Sequence, residues 1–427
     1  MSQEPGQSTH ESDTESALVP KLRFPEFGSS NDWQLTKLGD FLTESRLAGS
    51  KGDVAKKITV KLWGKGVFEK SESTPGSINT QYFQRKAGQF IYSKLDFLNQ
   101  AFGVIPSHLD NFESTVDLPC FDVSDGLNTS FLLEYVSRKE FYEKVGEAAD
   151  GSRKAKRIHA ETFLSLFVAL PSSAEQKKIA ECLSSLDELI AAQARQVDAL
   201  NTHKGWLMQQ LFPREGETQS LRRFPDFKNA AEWKVKKLED LAKRGSGHTP
   251  SKNNPEYYNG GIKWISLADS KRLDAGLISK TETEISAQGI KNSSAVLHAA
   301  GTVLISRDAG VGKSAVMAEP MAVSQHFIVW TCHAHLLSNW FLYYLLQQMK
   351  PLFERSATGS TIKTIGLPFF RELRITVPAL PEQQRIADCL RSADDLIVAA
   401  SQELGAFKVL KRALMQQLFP STDAFET

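Results

Sequence analysis

The segment Leu414-Met415-Gln416-Gln417-Leu418-Phe419-Pro420 repeats Leu207-Met208-Gln209-Gln210-Leu211-Phe212-Pro213, and the match runs back without a gap to Glu382 and Glu175. At this shift of 207 positions (Pro213 to Pro420), Gln176, Ile179-Ala180, Cys182-Leu183, Asp187, Leu189, Ile190, Ala192 and Lys204 meet Gln383, Ile386-Ala387, Cys389-Leu390, Asp394, Leu396, Ile397, Ala399 and Lys411. A second match, shifted by 200 (Phe24 to Phe224), pairs Phe24-Pro25-Glu26-Phe27 with Phe224-Pro225-Asp226-Phe227 and Trp33 with Trp233. The period is far longer than the roughly 20 to 50 residues of solenoid repeats, so the chain is a tandem duplication of whole domains. Each half carries a short opening motif, a long segment that differs between halves and a long shared segment.

The shared segment reads as a helix. Ile179, Leu183, Leu186, Ile190, Gln193, Val197, Leu200, Lys204, Leu207 and Leu211 alternate spacings of four and three, a heptad seam. Its copy is Ile386, Leu390, Ala393, Ile397, Ala400, Leu404, Phe407, Lys411, Leu414 and Leu418. Pro171 and Pro381 mark the starts, and Pro213 and Pro420 the ends. At about 1.5 Å per residue each helix is a rod of roughly 55 Å, too long for an active-site element. Two such helices related by a pseudo-two-fold axis are expected to lie antiparallel, as in an isologous pair. Lys204 and Lys411 interrupt both seams at the same position, either to set the register or to let their stems reach outward.

The differing segments, 43 to 160 and 243 to 368, alternate aromatic and β-branched clusters with Gly, Asn, Asp and Pro turns, which predicts an α+β domain for each. A distant kinship survives. Gly88-Gln89-Phe90-Ile91-Tyr92-Ser93-Lys94 parallels Gly301-Thr302-Val303-Leu304-Ile305-Ser306-Arg307, a buried strand ending in a hydroxyl and a cation. Asn128-Thr129-Ser130-Phe131-Leu132 parallels Ser338-Asn339-Trp340-Phe341-Leu342. Gly151-Ser152, leading into Arg153-Lys154-Ala155-Lys156-Arg157, parallels Gly359-Ser360, leading into Thr361-Ile362-Lys363. Loops of this kind bring charge and hydroxyls to phosphates, while Arg, Lys, Asn and Gln read base edges.

Several chemistries drop out. In Asp308-Ala309-Gly310-Val311-Gly312-Lys313-Ser314, Arg307 stands where a nucleotide-binding loop needs its first glycine. Asn254-Pro255-Glu256-Tyr257 puts a carboxylate where the methyltransferase motif Asn-Pro-Pro-Tyr has its second proline. The nine histidines form no ligand set, and His333 and His335 are a strand-like pair. Cys120, Cys182, Cys332 and Cys389 lack metal-ligand spacing and read as small apolar packing residues. Net charge is only +1, so a polyanion surface must be local or completed by another subunit. No apolar run of membrane-spanning length exists, and the polar, acidic first twenty residues lack the pattern of a signal peptide, so a soluble, cytoplasmic protein is expected.

Two variable segments separated by duplicated helices, with Leu22-Arg23-Phe24-Pro25-Glu26-Phe27 and its copy at the openings, Pro-x-x-x-Glu-Gln-x-x-Ile-Ala at each helix start and Met-Gln-Gln-Leu-Phe-Pro at each end, resemble the specificity (S) subunit of Type I restriction-modification systems. The likeness runs from about Phe24 to Pro420. Thr249-Pro250-Ser251, Asn254 to Tyr257, Trp264-Ile265-Ser266 and Gly301 to Ser306 look like the family's second target-recognition domain, and Gly88 to Phe102 like its first, which lacks a Thr-Pro-Ser loop. The resemblance implies two α+β target-recognition domains joined by two long helices that form an antiparallel coiled coil with pseudo-two-fold symmetry.

The expected organisation is a disordered tail (1–20), a first recognition domain (21–168), a first long helix (169–213), a linker (214–220), a second recognition domain (221–376), a second long helix (377–420) and a tail (421–427). The candidate DNA-contacting residues are Ser93, Lys94, Arg153, Lys154, Lys156 and Arg157 in the first domain, and Thr249, Ser251, Lys252, Ser306, Arg307, Lys313, Thr361 and Lys363 in the second. The resemblance further implies a non-catalytic subunit that reads a bipartite site on double-stranded DNA and docks two methyltransferase subunits carrying S-adenosylmethionine. Restriction, or motor-nuclease, subunits would carry ATP and Mg, and this chain would hold no cofactor of its own. A stand-alone duplicated DNA-binding protein and a coiled-coil assembly scaffold are the rival readings.

Overall fold

The computed structural model describes residues 18–71, 76–147 and 156–420; most of the two expected tails, together with Arg153 and Lys154, lies outside them. The chain forms two compact units that do not coincide with the sequence halves: one comprises residues up to Ala192 together with Glu403 onward, the other Gln193–Gln402. Each long helix, Ser173–Leu211 and Leu380–Gln417, therefore gives its first part to one unit and its second part to the other.

In the first unit, strands Leu42–Glu44, Cys120–Val123, Phe90–Tyr92 and Phe102–Val104 form one antiparallel sheet in that order. The central strand is buried on both faces, and its period of two divides the core. Phe90 and Tyr92 enter the aromatic cluster with Phe97, Phe121 and Phe163, whereas Ile91 packs with Ile58, Val60 and Cys120. The opening strand Gln34–Lys37 pairs antiparallel with Phe167–Leu170, the last strand before the helix.

The second unit repeats this scheme on a larger sheet. Strands Ala242–Ser246, Phe327–Cys332, Val303–Ser306, Ser314–Met317 and Leu277–Ile278 lie side by side, only the last pair being parallel. Val303 and Ile305 face one core and Leu304 the other. Lys234–Lys237 pairs with Arg374–Val377 as its counterpart does in the first unit. The equivalent helices Thr129–Val136 and Asn339–Gln348 are capped by equivalent residues: Asn128 Oδ1 accepts from Phe131 N at 2.9 Å, and Ser338 Oγ from Phe341 N at 3.4 Å.

The shared sequence acts at both ends of each helix. Gln176 Nε2 donates to Gly126 O and Pro171 O while its Oε1 accepts from Asn128 N; Gln383 makes the same three bonds, to Leu336 O, Pro378 O and Ser338 N. Glu175 and Glu382, both almost fully buried, each receive a two-pronged bond from an opening-motif arginine, Arg23 or Arg223. Such planar pairs fix direction as well as charge. At the other ends, Phe419 packs on Trp33 and Phe131, and Phe212 on Phe341 beside Trp233. The repeated Leu-Phe pairs at these ends are thus core residues.

Within each unit the two helix segments run antiparallel. In the first, Asp187 meets Lys411, while Ile179 and Leu183 share a core with Leu418 and Phe419. In the second, Gln193 Nε2 donates to Ala400 O at 3.1 Å and Lys204 reaches Asp394, while Leu211 and Phe212 share a core with Ile386 and Leu390. Every position of both seams is buried or half-buried. The two seam lysines point inward to ion pairs, so outward reach is not their role.

Candidate nucleic-acid interface

The end of the buried strand Val303–Ser306 organises the site in the second unit. Ser306 is fully buried, and its hydroxyl donates to Asp308 O at 2.5 Å. Arg307 follows. Its N–H bonds to His326 O at 2.9 Å and its carbonyl accepts from Ile365 N at 3.0 Å, so the strand end is stitched to two other segments. Through Ile365 it holds the loop closed by the Thr358 and Thr364 backbone bonds, whose tip presents Thr361, Ile362 and Lys363 to solvent. Gly310 and Gly312, both at positive φ, shape the turn that leads to Lys313. Lys313 Nζ donates to Ser270 O at 2.9 Å and lines a cleft with Gly310, Lys350, Thr361 and Lys363.

A neighbouring cleft is lined by Thr249, Lys252, Ser266, Gln325 and His326. The loop before it depends on a glycine, because a Cβ on Gly247 would sit 1.7 Å from Val323 O. His248 N donates to that same carbonyl, and Trp264 Nε1 donates to His248 O. Thr249 Oγ1 donates to Gln325 Oε1 at 2.6 Å, whereas Ser251 and Lys252 are exposed. Between the clefts stands a pair that sequence reasoning missed: His326 Nδ1 lies 2.6 Å from Asp308 Oδ2. Eighteen residues separate them, and only the Ser306 to Phe327 strand register brings them together.

The first unit builds the same frame from different side chains. Ile158 N donates to Lys94 O at 3.1 Å, the counterpart of Ile365 to Arg307, and Lys94 N donates to Asp117 O at 3.0 Å, the counterpart of Arg307 to His326. Ser93 is buried, with its hydroxyl engaged by Asp96 N and Oδ2. Lys94 is half-buried, Lys156 is half-buried with its ammonium donating to Gly146 O, and Arg157 is exposed. Ser93, just past its strand, and Ser306, the last residue of its own, are both buried and so shape turns from inside without facing solvent.

The nucleotide-loop mimic also resolves. Ser314 opens the strand Ser314–Met317, so the glycine turn joins two strands of a hairpin instead of leading into the helix a phosphate cradle requires. The thiols of Cys120 and Cys332 are each pushed up to about 12 by burial, which fits packing residues. Among the described residues no helix is long and apolar enough to cross a membrane.

Residues 230–404 match the family described as the Type I restriction modification DNA specificity domain. The Type I restriction enzyme MjaVIII specificity subunit of Methanocaldococcus jannaschii is 22% identical over 417 residues, 93% of each chain. The MjaIX specificity subunit of the same organism is 28% identical over 197 residues, so that match spans 46% of this chain and less than half, 45%, of that relative. Among solved structures, the Type I restriction-modification S subunit from M. genitalium superposes with a TM-score of 0.59 at 15% identity, covering 94% of this chain and 99% of that one, which establishes the fold. The domain match, the full-length relative and the shared fold agree with the duplicated architecture: residues 230–404 match a Type I restriction modification DNA specificity domain, and the chain over nearly its whole length is similar to Type I restriction-modification specificity subunits.

Proposed function

We propose that this chain is the non-catalytic subunit that gives a Type I restriction-modification complex its DNA sequence specificity. The observation that carries the reading is the repeated frame with changed side chains. Ile158, Lys94 and Asp117 in one unit, and Ile365, Arg307 and His326 in the other, share backbone bonds while presenting different groups. A device that reads two unlike half-sites needs that combination of fixed scaffold and variable surface. Each unit reads one half of a bipartite double-stranded site in the cytoplasm. The paired helices space the two readers and dock two methyltransferase subunits, which bring S-adenosylmethionine, while restriction subunits bring ATP and Mg. Near-neutral net charge suits this division, because the partners supply the remaining phosphate contacts.

The test is reconstitution. The purified chain with S-adenosylmethionine and DNA transfers no methyl groups, and adding the methyltransferase subunits confers modification that is lost when either half-site is scrambled. Methyl transfer by the isolated chain, or modification indifferent to both half-sites, contradicts the reading.

A further inference from the structure

Asp308 is the one carboxylate among Arg307, His326 and Lys313 at the strand end. It contacts two of them: Oδ2 lies 2.6 Å from His326 Nδ1, and Oδ1 lies 3.7 Å from Arg307 Nε, too far for a hydrogen bond. Among the described residues Arg307 Nε and Asp308 Oδ1 have no hydrogen-bond partner although both are buried. Paired only as ions, a buried charged donor and acceptor without hydrogen bonds are costly, so their retention calls for a use. The His326 ring is about one-third exposed and lines the cleft that also holds Thr249, Lys252 and Gln325. In the neutral tautomer that donates Nδ1–H to Asp308, Nε2 is an acceptor at the cleft. The position is also one where the two units differ on a shared backbone. Asp117 O receives Lys94 N as His326 O receives Arg307 N, so the first unit has a carboxylate where the second has an imidazole.

We propose that His326 reads a base edge in the half-site of the second unit, with Asp308 as the positioning residue that fixes its ring and tautomer. This rests on the reading of the chain as a specificity subunit. In the major groove an imidazole acceptor meets the exocyclic amino group of adenine or cytosine and is repelled by the carbonyl oxygens of thymine and guanine, so it discriminates at one base pair. A carboxylate-held imidazole suits the task because the ring enters the groove already oriented, and little freedom is lost on binding.

The test is modification-site sequencing of host DNA with chromosomal alleles of the full chain. For His326→Ala one base pair of one half-site becomes degenerate, with discrimination falling about 5- to 100-fold; the other half-site stays intact and serves as the folding control. Asp308→Ala relaxes the same base pair, the double variant relaxes it no further, and Asp308→Asn, which keeps an acceptor for Nδ1–H, restores the preference. A purely structural role for Asp308 would not single out that base pair. An unchanged motif in His326→Ala, or degeneracy scattered over several positions, overturns the assignment. If that variant modifies nothing, His326→Gln decides: one altered position supports the proposal, and an unchanged or absent motif contradicts it. A wild-type host lacking any bipartite modified motif would contradict the reading of the chain itself, a result distinct from an intact wild-type motif that the variants leave unchanged.

Discussion

Lys204 Nζ lies 2.6 Å from Asp394 Oδ1 in the second unit, and the duplication repeats this contact in the first, where Lys411 Nζ lies 2.6 Å from Asp187 Oδ2. Both lysines interrupt a heptad seam, and both are matched by the aspartate that the other helix carries at its own repeated position. The third member differs. Tyr344 donates to Asp394 Oδ2 at 2.7 Å, whereas the equivalent Glu134 sits 3.1 Å from Lys411. One lysine therefore answers one carboxylate, and the other answers two.

Replacing either lysine should consequently have unequal effects. Lys411→Met leaves the nearly buried Glu134 beside Asp187 without a cation and is expected to cost about 2 to 3 kcal/mol, while Lys204→Met leaves Asp394 still bonded to Tyr344 and should cost about 1 kcal/mol. Hydrogen-exchange protection of residues 129–136 and 183–192 for the first variant, and of 339–346 and 390–398 for the second, measures each locally. Equal losses would show that the third partner is irrelevant. Adding Glu134→Gln to Lys411→Met should recover most of the deficit.

Glu134 also gives the first unit a pH signature. Burial raises its carboxyl above the usual range, Lys411 opposes that shift and Asp187 adds to it. A carboxyl whose folded value is raised binds its proton more readily in the native state. Its contribution is fully present below the ordinary carboxyl range and is lost as pH rises through the raised folded value. Local stability of the wild-type first unit should thus fall relative to Glu134→Gln across that window and run parallel to it at higher pH. Parallel behaviour throughout would contradict the shift.

The candidate DNA-contacting cations, exposed Lys363 and Arg157 and half-buried Arg307, separate by role. Lys363→Ala and Arg157→Ala should weaken binding to all sequences alike and lower the salt slope by about one each, as phosphate contacts do. Arg307→Ala should cost about 1 to 3 kcal/mol on cognate DNA and relax one position of one half-site. Binding of labelled duplexes by the complex across a salt series checks both, and unchanged affinity in all three variants would mark these as solvated surface groups.

The helices should act as the ruler. A seven-residue insertion after Ala194 and another after Ser401 preserve the seam and add about 10 Å, close to three base pairs at about 3.4 Å each. Modification-site sequencing should find the same half-sites around a wider unread gap. An unchanged gap would place the spacing in the methyltransferase subunits.

How much of this was legible in the sequence follows from the range of the interactions. The seams and the Leu-Phe-Pro ends could be read because helical periodicity and repetition are local signals, and every seam position is indeed covered. The pairing of Ser93-Lys94 with Ser306-Arg307 held in backbone detail, although both serines are buried and bonded within their own turns. The partners of the seam lysines could not be read. Glu134 and Lys411 lie 277 residues apart and meet only because the second helix returns to the first core. The Asp308 and His326 pair was hidden for a similar reason, since strand register and not spacing joins them.

The most direct test of the central claim is modification sequencing of the host genome with and without this chain. The account predicts a two-part motif with a fixed unread gap, modified when the chain is present and unmodified when it is deleted. A continuous motif that depends on the chain, or a bipartite motif that survives its deletion, would contradict the assignment of sequence reading to these two units.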